Sequence, residues 1–143
     1  MPVTDVPDLG SGATIAFSST TFAAKVRKIT LPEWAVEEYD VSTLDTSGFF
    51  KTIAGDLKNA GSVVVTILAP TGLTLPTIAT TPETCTVTFP LRANGGEAGA
   101  ATMAGTGFFK RYKHPELAVG VVQEAEYEVR FDGGTGPAFT KST

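Results

Sequence analysis

Between Glu124 and Phe131 every second side chain is apolar and the others are charged: Ala125, Tyr127, Val129 and Phe131 alternate with Glu124, Glu126, Glu128 and Arg130. Successive side chains of a strand point to opposite sides, so only extended backbone sorts this pattern onto two faces. A helix built from the same residues would scatter glutamates among aromatic rings. The period of two therefore demands a sheet with one buried and one charged face. The same reading carries the strand back to Val119, with Val121 on the apolar side.

The rest of the chain has a similar texture. Fifteen glycines and nine prolines punctuate short, threonine-rich and β-branched runs, the pattern of a sandwich or barrel. Strands are predicted over 13–18, 23–31 and 36–41, with Pro32 bending the chain between the second and third, since proline cannot donate to a central ladder. Val63, Val65, Ile67 and Ala69 oppose Ser62, Val64, Thr66 and Leu68, an apolar pattern on both sides that predicts burial on both faces. Further strands are predicted over 83–91 and 100–112, the latter weakened or bulged at Gly105 and Gly107. Residues 41–61 read as one long loop with at most a helical turn near Leu57. Residues 70–82 read as a turn-rich connection and 94–99 as a flexible tip. The expected fold is all-β and mainly antiparallel, a β-sandwich or barrel with a long loop and at most one short helix. Residues 13–131 form the domain, between a flexible N-terminal arm at 1–12 and a loose C-terminal extension at 132–143.

A chain of 143 residues suffices for one self-sufficient core. No apolar run approaches the roughly 18 residues of a spanning helix, and residues 1–8 carry no basic and apolar leader pattern. The expectation is a protein made in a cytoplasm with no membrane partner. Cys85 is the single cysteine and His114 the single histidine, too few for an internal disulfide or a Cys/His metal site. A nucleophile needs a base within reach, and the one imidazole lies in a polar run ending at Pro115. Cys85 alternates with Val87 and Phe89, which fits a buried, inert thiol. Glu124, Glu126 and Glu128 stand about 7 Å apart along one strand face, but a carboxylate pair also needs a cleft and none is in view. The glycine clusters at 95–99 and 133–136 lack the strand–glycine–helix context of a phosphate cradle. No catalytic residue, cofactor or metal ligand is expected, and the chain is read as a non-enzyme.

The formal charge of −4 opposes tight binding of nucleic acid, which proteins grip by neutralising phosphates. The stretch from Phe108 to Lys113 resembles a single-strand platform in composition only. Lys25, Arg27 and Lys28 are placed to pair with the glutamate row. Phe108 and Phe109 are more informative, because neighbours in a strand cannot both enter one core. Phe49, Phe50, Ile53 and Leu57 likewise make the long loop too apolar to be plain solvent-exposed chain. Burying one phenylalanine is worth about 2–3 kcal/mol, so such residues on a contact can drive self-assembly.

The order of these pieces resembles a known family. An early strand pair, Gly55-Asp56-Leu57 followed by Gly61 and the run Ser62 to Ile67, then Glu83 to Pro90, a late Gly107-Phe108 and a final alternating strand are similar to the major tail tube proteins of siphophages, the long-tailed, non-contractile phages. The likeness spans roughly residues 10–132. It implies a structural virion protein: six protomers per ring, rings stacked into a hollow tail tube, and strands from each protomer joined in one inner barrel. The implied partners are other copies of the chain, the tape-measure protein, the tail terminator and distal tail proteins, and DNA in transit without tight binding. Six copies at −4 give a ring of about −24, and an acidic lumen lets DNA slide. The lumen-facing candidates are Glu124, Glu126 and Glu128, or Glu37, Glu38 and Asp40. The subunit and ring interface candidates are Phe49, Phe50, Ile53, Leu57, Phe108 and Phe109. The competing expectation is a free-standing β-sandwich for virion adhesion or carbohydrate binding, for which Trp34 is the single tryptophan available.

Overall fold

The computed structural model describes residues 12–18, 25–69, 75–78, 81–91, 98–134 and 136–143. Among them run nine strands and no helix: β1 (Thr14–Phe17), β2 (Lys25–Thr30), β3 (Ala35–Asp40), β4 (Thr52–Asn59), β5 (Ser62–Leu68), β6 (Glu83–Thr88), β7 (Thr102–Lys113), β8 (Glu124–Phe131) and β9 (Ala138–Thr140). The fold is all-β and every strand pair is antiparallel. The expected N-terminal arm, apart from Gly12, lies outside the described residues, as do residues 70–74 of the long connection and the glycine tip at 94–97.

Seven strands make one sheet in the order β1-β6-β7-β8-β5-β2, with β9 also on β7. The long strand β7 has two partners along one edge: β8 takes Gly107 to Lys113, and β9 takes Thr102 to Ala104. The period of two is kept throughout the centre. On the inner face Val63, Val65, Ile67, Cys85, Val87, Phe109, Ala125, Tyr127, Val129 and Phe131 are buried, and Ile15, Phe17, Val26 and Ile29 pack against them from the outer strands. The sheet is strongly curled around this core. Phe17 on β1 is three strand spacings from β8, about 14 Å in a flat sheet, yet its ring centroid lies 6.3 Å from that of Tyr127 and 4.9 Å from that of Phe109.

β3 and β4 form a separate two-stranded sheet. The chain leaves β2 at Thr30, builds this hairpin, and returns through Gly61 into β5. Gly61 has φ +78°, and a Cβ there would lie 2.7 Å from Cβ of Pro32. The outgoing and incoming chains therefore cross at a point only glycine fits. Asn59 Oδ1 accepts from Gly61 N–H at 2.9 Å and from Arg130 Nη2 at 2.9 Å, tying the hairpin base to β8.

Four expectations need correction. Residues 41–61 are not one loop, since 52–59 are β4 and only 41–51 connect the strands. The helical turn near Leu57 is absent because Leu57 lies in β4. Gly105 and Gly107 sit in regular register with β6, and the irregularity of β7 falls instead between Phe109 and Arg111. The extension at 132–143 is not loose: an Asx turn at Asp132, which accepts Gly134 N–H at 2.8 Å, precedes β9, and Thr143 pairs with Gly99. There is also a trimmed boundary, because β8 begins at Glu124 and leaves Val121 exposed before it.

Candidate functional site

Whereas the outer strands β1 and β2 still turn Ile15, Phe17, Val26 and Ile29 against the core, the strands of the hairpin β3–β4 carry no buried residue and only Gly55 is even partly covered. Its register is Asp40↔Thr52, Tyr39↔Ile53 and Glu38↔Ala54, then a shift to Val36↔Lys58 and Ala35↔Asn59. The two extra residues of β4 preserve the alternation, so the two faces can be read along the whole hairpin. One face presents Tyr39, Val41, Ile53 and Leu57. The other presents Val36, Glu38, Asp40, Asp56 and Lys58. On the first face Tyr39 donates its hydroxyl hydrogen to Glu37 Oε2 at 2.9 Å, and its ring covers Gly55, where a Cβ would lie 3.0 Å from Cε2. Gly55 is thus a close-approach residue within a strand.

The connection at 41–51 is closed by its own hydrogen bonds. Val41 N–H donates to Lys51 O at 2.9 Å, Lys51 N–H to Ser42 Oγ at 2.8 Å, and Thr43 N–H to Thr46 Oγ1 at 2.9 Å. Asp40 accepts Ser42 N–H at 2.8 Å, which holds its carboxyl below the ordinary range. With the backbone closed in this way, the large side chains turn outward. Leu44 is fully exposed, Phe49 94% and Phe50 84%, and Leu57 on β4 is 84% exposed. Two shallow clefts of about 420 and 530 Å³ flank the hairpin base, and the larger is lined by Trp34, Val36, Lys58 and Pro137. Among the described residues no group of three His, Cys, Asp or Glu side chains is placed to hold a metal ion.

The structure joins residues that the sequence kept apart. Glu37, Glu38 and Asp40 on β3 and Phe49, Phe50, Ile53 and Leu57 belong to one hairpin. It also separates Phe108 from Phe109. Phe109 is 2% exposed and stacks in the core, so it is withdrawn as an interface residue. Phe108 lies on the opposite face of the sheet and is partly exposed.

That opposite face carries the glutamate row, and cations surround it. Reading across the strands, Lys25 lies level with Leu68 and Glu124, and Lys28 with Thr66, Glu126 and Lys113; Thr30 is level with Val64, Glu128 and Arg111. Arg27 meets Glu124 at 2.7 Å. Arg111 bridges Glu126 at 2.6 Å and Glu128 at 2.8 Å, and the two carboxylates hold its guanidinium above the ordinary value. Glu128 also accepts the Ser62 hydroxyl at 2.7 Å. That bond and the Arg111 cation keep its carboxyl below the ordinary value. Lys110 stands 4.0 Å from Glu128. The row is thus paired, and with Arg130 in the same row of β8 this face contains seven cations for its three carboxylates. The sequence revealed the row and Arg27 as a partner for it, but not the bridging position of Arg111.

Cys85 is fully buried, and burial, with the Glu83 charge second, pushes its thiol up to about 12. Its inward position follows the alternation with Val87. No protein-family model matches this chain, and no curated protein matches it.

Proposed function

We propose that this protein is a structural subunit that polymerises through its hairpin, and that the assembly is the tail tube of a long-tailed, non-contractile phage. The observation that carries the reading is the apolar load of the hairpin. Leu44, Phe49, Phe50 and Leu57 are almost wholly exposed on an element that has no core of its own, and so much exposed apolar surface on one element marks an interaction site. A two-stranded hairpin alone is marginal in water, so its order is best supplied by a neighbouring subunit.

The chemistry of the rest agrees with a conduit and not a catalyst. The net charge is −4; the hairpin carries five carboxylates against two lysines, whereas the glutamates of β8 are matched by arginines. A wall of this sign repels phosphates and lets DNA pass without capture. In this reading rings of six copies stack around a tape-measure protein, tail terminator and distal tail proteins close the ends, and the product resides in the virion.

Negative-stain microscopy of the purified chain tests the proposal. Rings or hollow tubes are expected as concentration rises, and a monomer at every concentration would overturn it. Replacing Phe49→Ser together with Phe50→Ser is expected to abolish polymerisation with an unchanged circular dichroism spectrum. Unimpaired tubes from that variant would remove the hairpin tip from the interface.

A further inference from the structure

Charge is segregated in this molecule. Within residues 35–59 the hairpin has five carboxylates against two lysines, and three of the five, Glu38, Asp40 and Asp56, share with Lys58 the face opposite Tyr39 and Ile53. The outer face of the sheet has the reverse surplus. Its three glutamates are matched by Arg27, Arg111 and Lys110, and Arg130 is bonded to Asn59, which leaves Lys25, Lys28 and Lys113. Among the described residues these three lysines enter no ion pair, and all three are exposed. Between them run the neutral outer row of β5, formed by Val64, Thr66 and Leu68, and the paired glutamate row of β8. No ion pair joins the hairpin to this face within one chain, among the described residues.

We infer that the acidic face of the β3–β4 hairpin docks on the outer face of the β2–β5–β8–β7 sheet of a second copy, setting Glu38, Asp40 and Asp56 against Lys25, Lys28 and Lys113. The inference rests on the self-assembly reading and specifies its partner surface. Charge complementarity selects the occupant: three carboxylates outside any ion pair, with Lys58 the one cation beside them, meet three ammonium groups outside any ion pair, on surfaces that one chain offers but does not join among the described residues. The floor of β5 is neutral and the glutamates of β8 beside it are already held by Arg27, Arg111 and Lys110, so an approaching acidic strand meets a face with a surplus of positive charge. The contact is heterologous, with different patches on the two copies, and such contacts repeat to give rings or filaments. Docking also covers the surplus lysines that would otherwise hold a phosphate backbone. It takes Glu38 and Asp40 off the list of lumen-lining residues, and the hairpin's remaining negative charge stays with Glu37 and Asp45.

A charge-swap experiment tests this contact. One variant carries Glu38→Lys, Asp40→Lys and Asp56→Lys; a second carries Lys25→Glu, Lys28→Glu and Lys113→Glu. All six sites are exposed, and circular dichroism and thermal melting of each variant verify the fold. Alone, each is expected to raise the concentration needed for sedimentable assembly by about tenfold or more, because like charges then face each other. Mixed in equal amounts, the two are expected to assemble again, since each hairpin then finds a sheet of opposite charge. Folded single variants that assemble like wild type, or a mixture no better than its components, would overturn the docking and leave self-assembly standing. A wild-type chain that never assembles would overturn both.

Discussion

The curled sheet and the hairpin are built from strands of similar length, yet they solve opposite problems. In the sheet, Val63, Val65, Ile67 and Cys85 are 0% exposed, and each buried side chain is enclosed by residues from other strands. In the hairpin, Tyr39 and Ile53 face each other in register and both remain half exposed. The sheet is finished within one chain. The hairpin has the cross-strand pairs and turn hydrogen bonds of a folded element, but its apolar face has nothing to cover it. Order in the first comes from burial, and in the second from backbone pairing and from the tether at Asn59 and Gly61.

The largest expected effect is in the core. Phe109 packs against both Phe17 and Tyr127, at 4.9 and 5.7 Å between ring centroids, so Phe109→Ala is expected to lower the unfolding free energy by about 3–5 kcal/mol. Chemical denaturation of the monomer measures it. A cost below about 1 kcal/mol would mean that the inner face is not the close-packed core described.

A smaller effect belongs to the outer face of the sheet. Glu128 has a side chain only 13% exposed and accepts from both Ser62 and Arg111. Removing its charge by Glu128→Gln is expected to cost about 1–2 kcal/mol at neutral pH. The sign of the pH dependence follows from its lowered carboxyl pKa. Stabilisation is complete above the ordinary glutamate value of 4.5 and is lost as pH falls through the lower folded value. Wild-type and variant stabilities are therefore expected to converge in acid. Curves that stay parallel down to about pH 3 would rule out the ionised carboxylate as the source.

How much of this was legible follows the same division. Where one face of a strand is buried, as in β5, β6, β7 and β8, the period of two printed itself on the sequence and gave strand, face and core residues together. β4 left no such print because neither of its faces is buried. Its Gly55-Asp56 read as a turn, although Gly55 is there to admit the Tyr39 ring. β9 was missed for a related reason: Ala138, Phe139 and Thr140 are all exposed, and three residues are too short a run to show a period. The acidic row of β8 was legible as a row. So was Arg27 as a partner for it; the bridge from Arg111 to Glu126 and Glu128 was not, because only the strand order and register set β7 beside β8 at that point.

The smallest expected effect on the isolated chain is at Ile53, and it bears most directly on the comparison. Ile53 is a large aliphatic residue, and in a finished core its loss to alanine would cost about 2–5 kcal/mol. Here it is 53% exposed and touches the equally exposed Tyr39 across one strand pair, a contact worth a few tenths to about 1 kcal/mol. Because the hairpin is tied to the sheet only at its base, even that loss loosens the hairpin and not the global fold. Ile53→Ala is therefore expected to leave the denaturation midpoint of the monomer nearly unchanged. Amide exchange along β3 and β4 should be fast in the monomer, set by local opening, while the amides of β5 and β8 exchange only through global unfolding. On assembly the hairpin amides of the wild type are expected to become protected, and those of Ile53→Ala to lag behind. Hairpin amides already as slow as those of β5 in the monomer would erase the distinction between a finished element and an unfinished one.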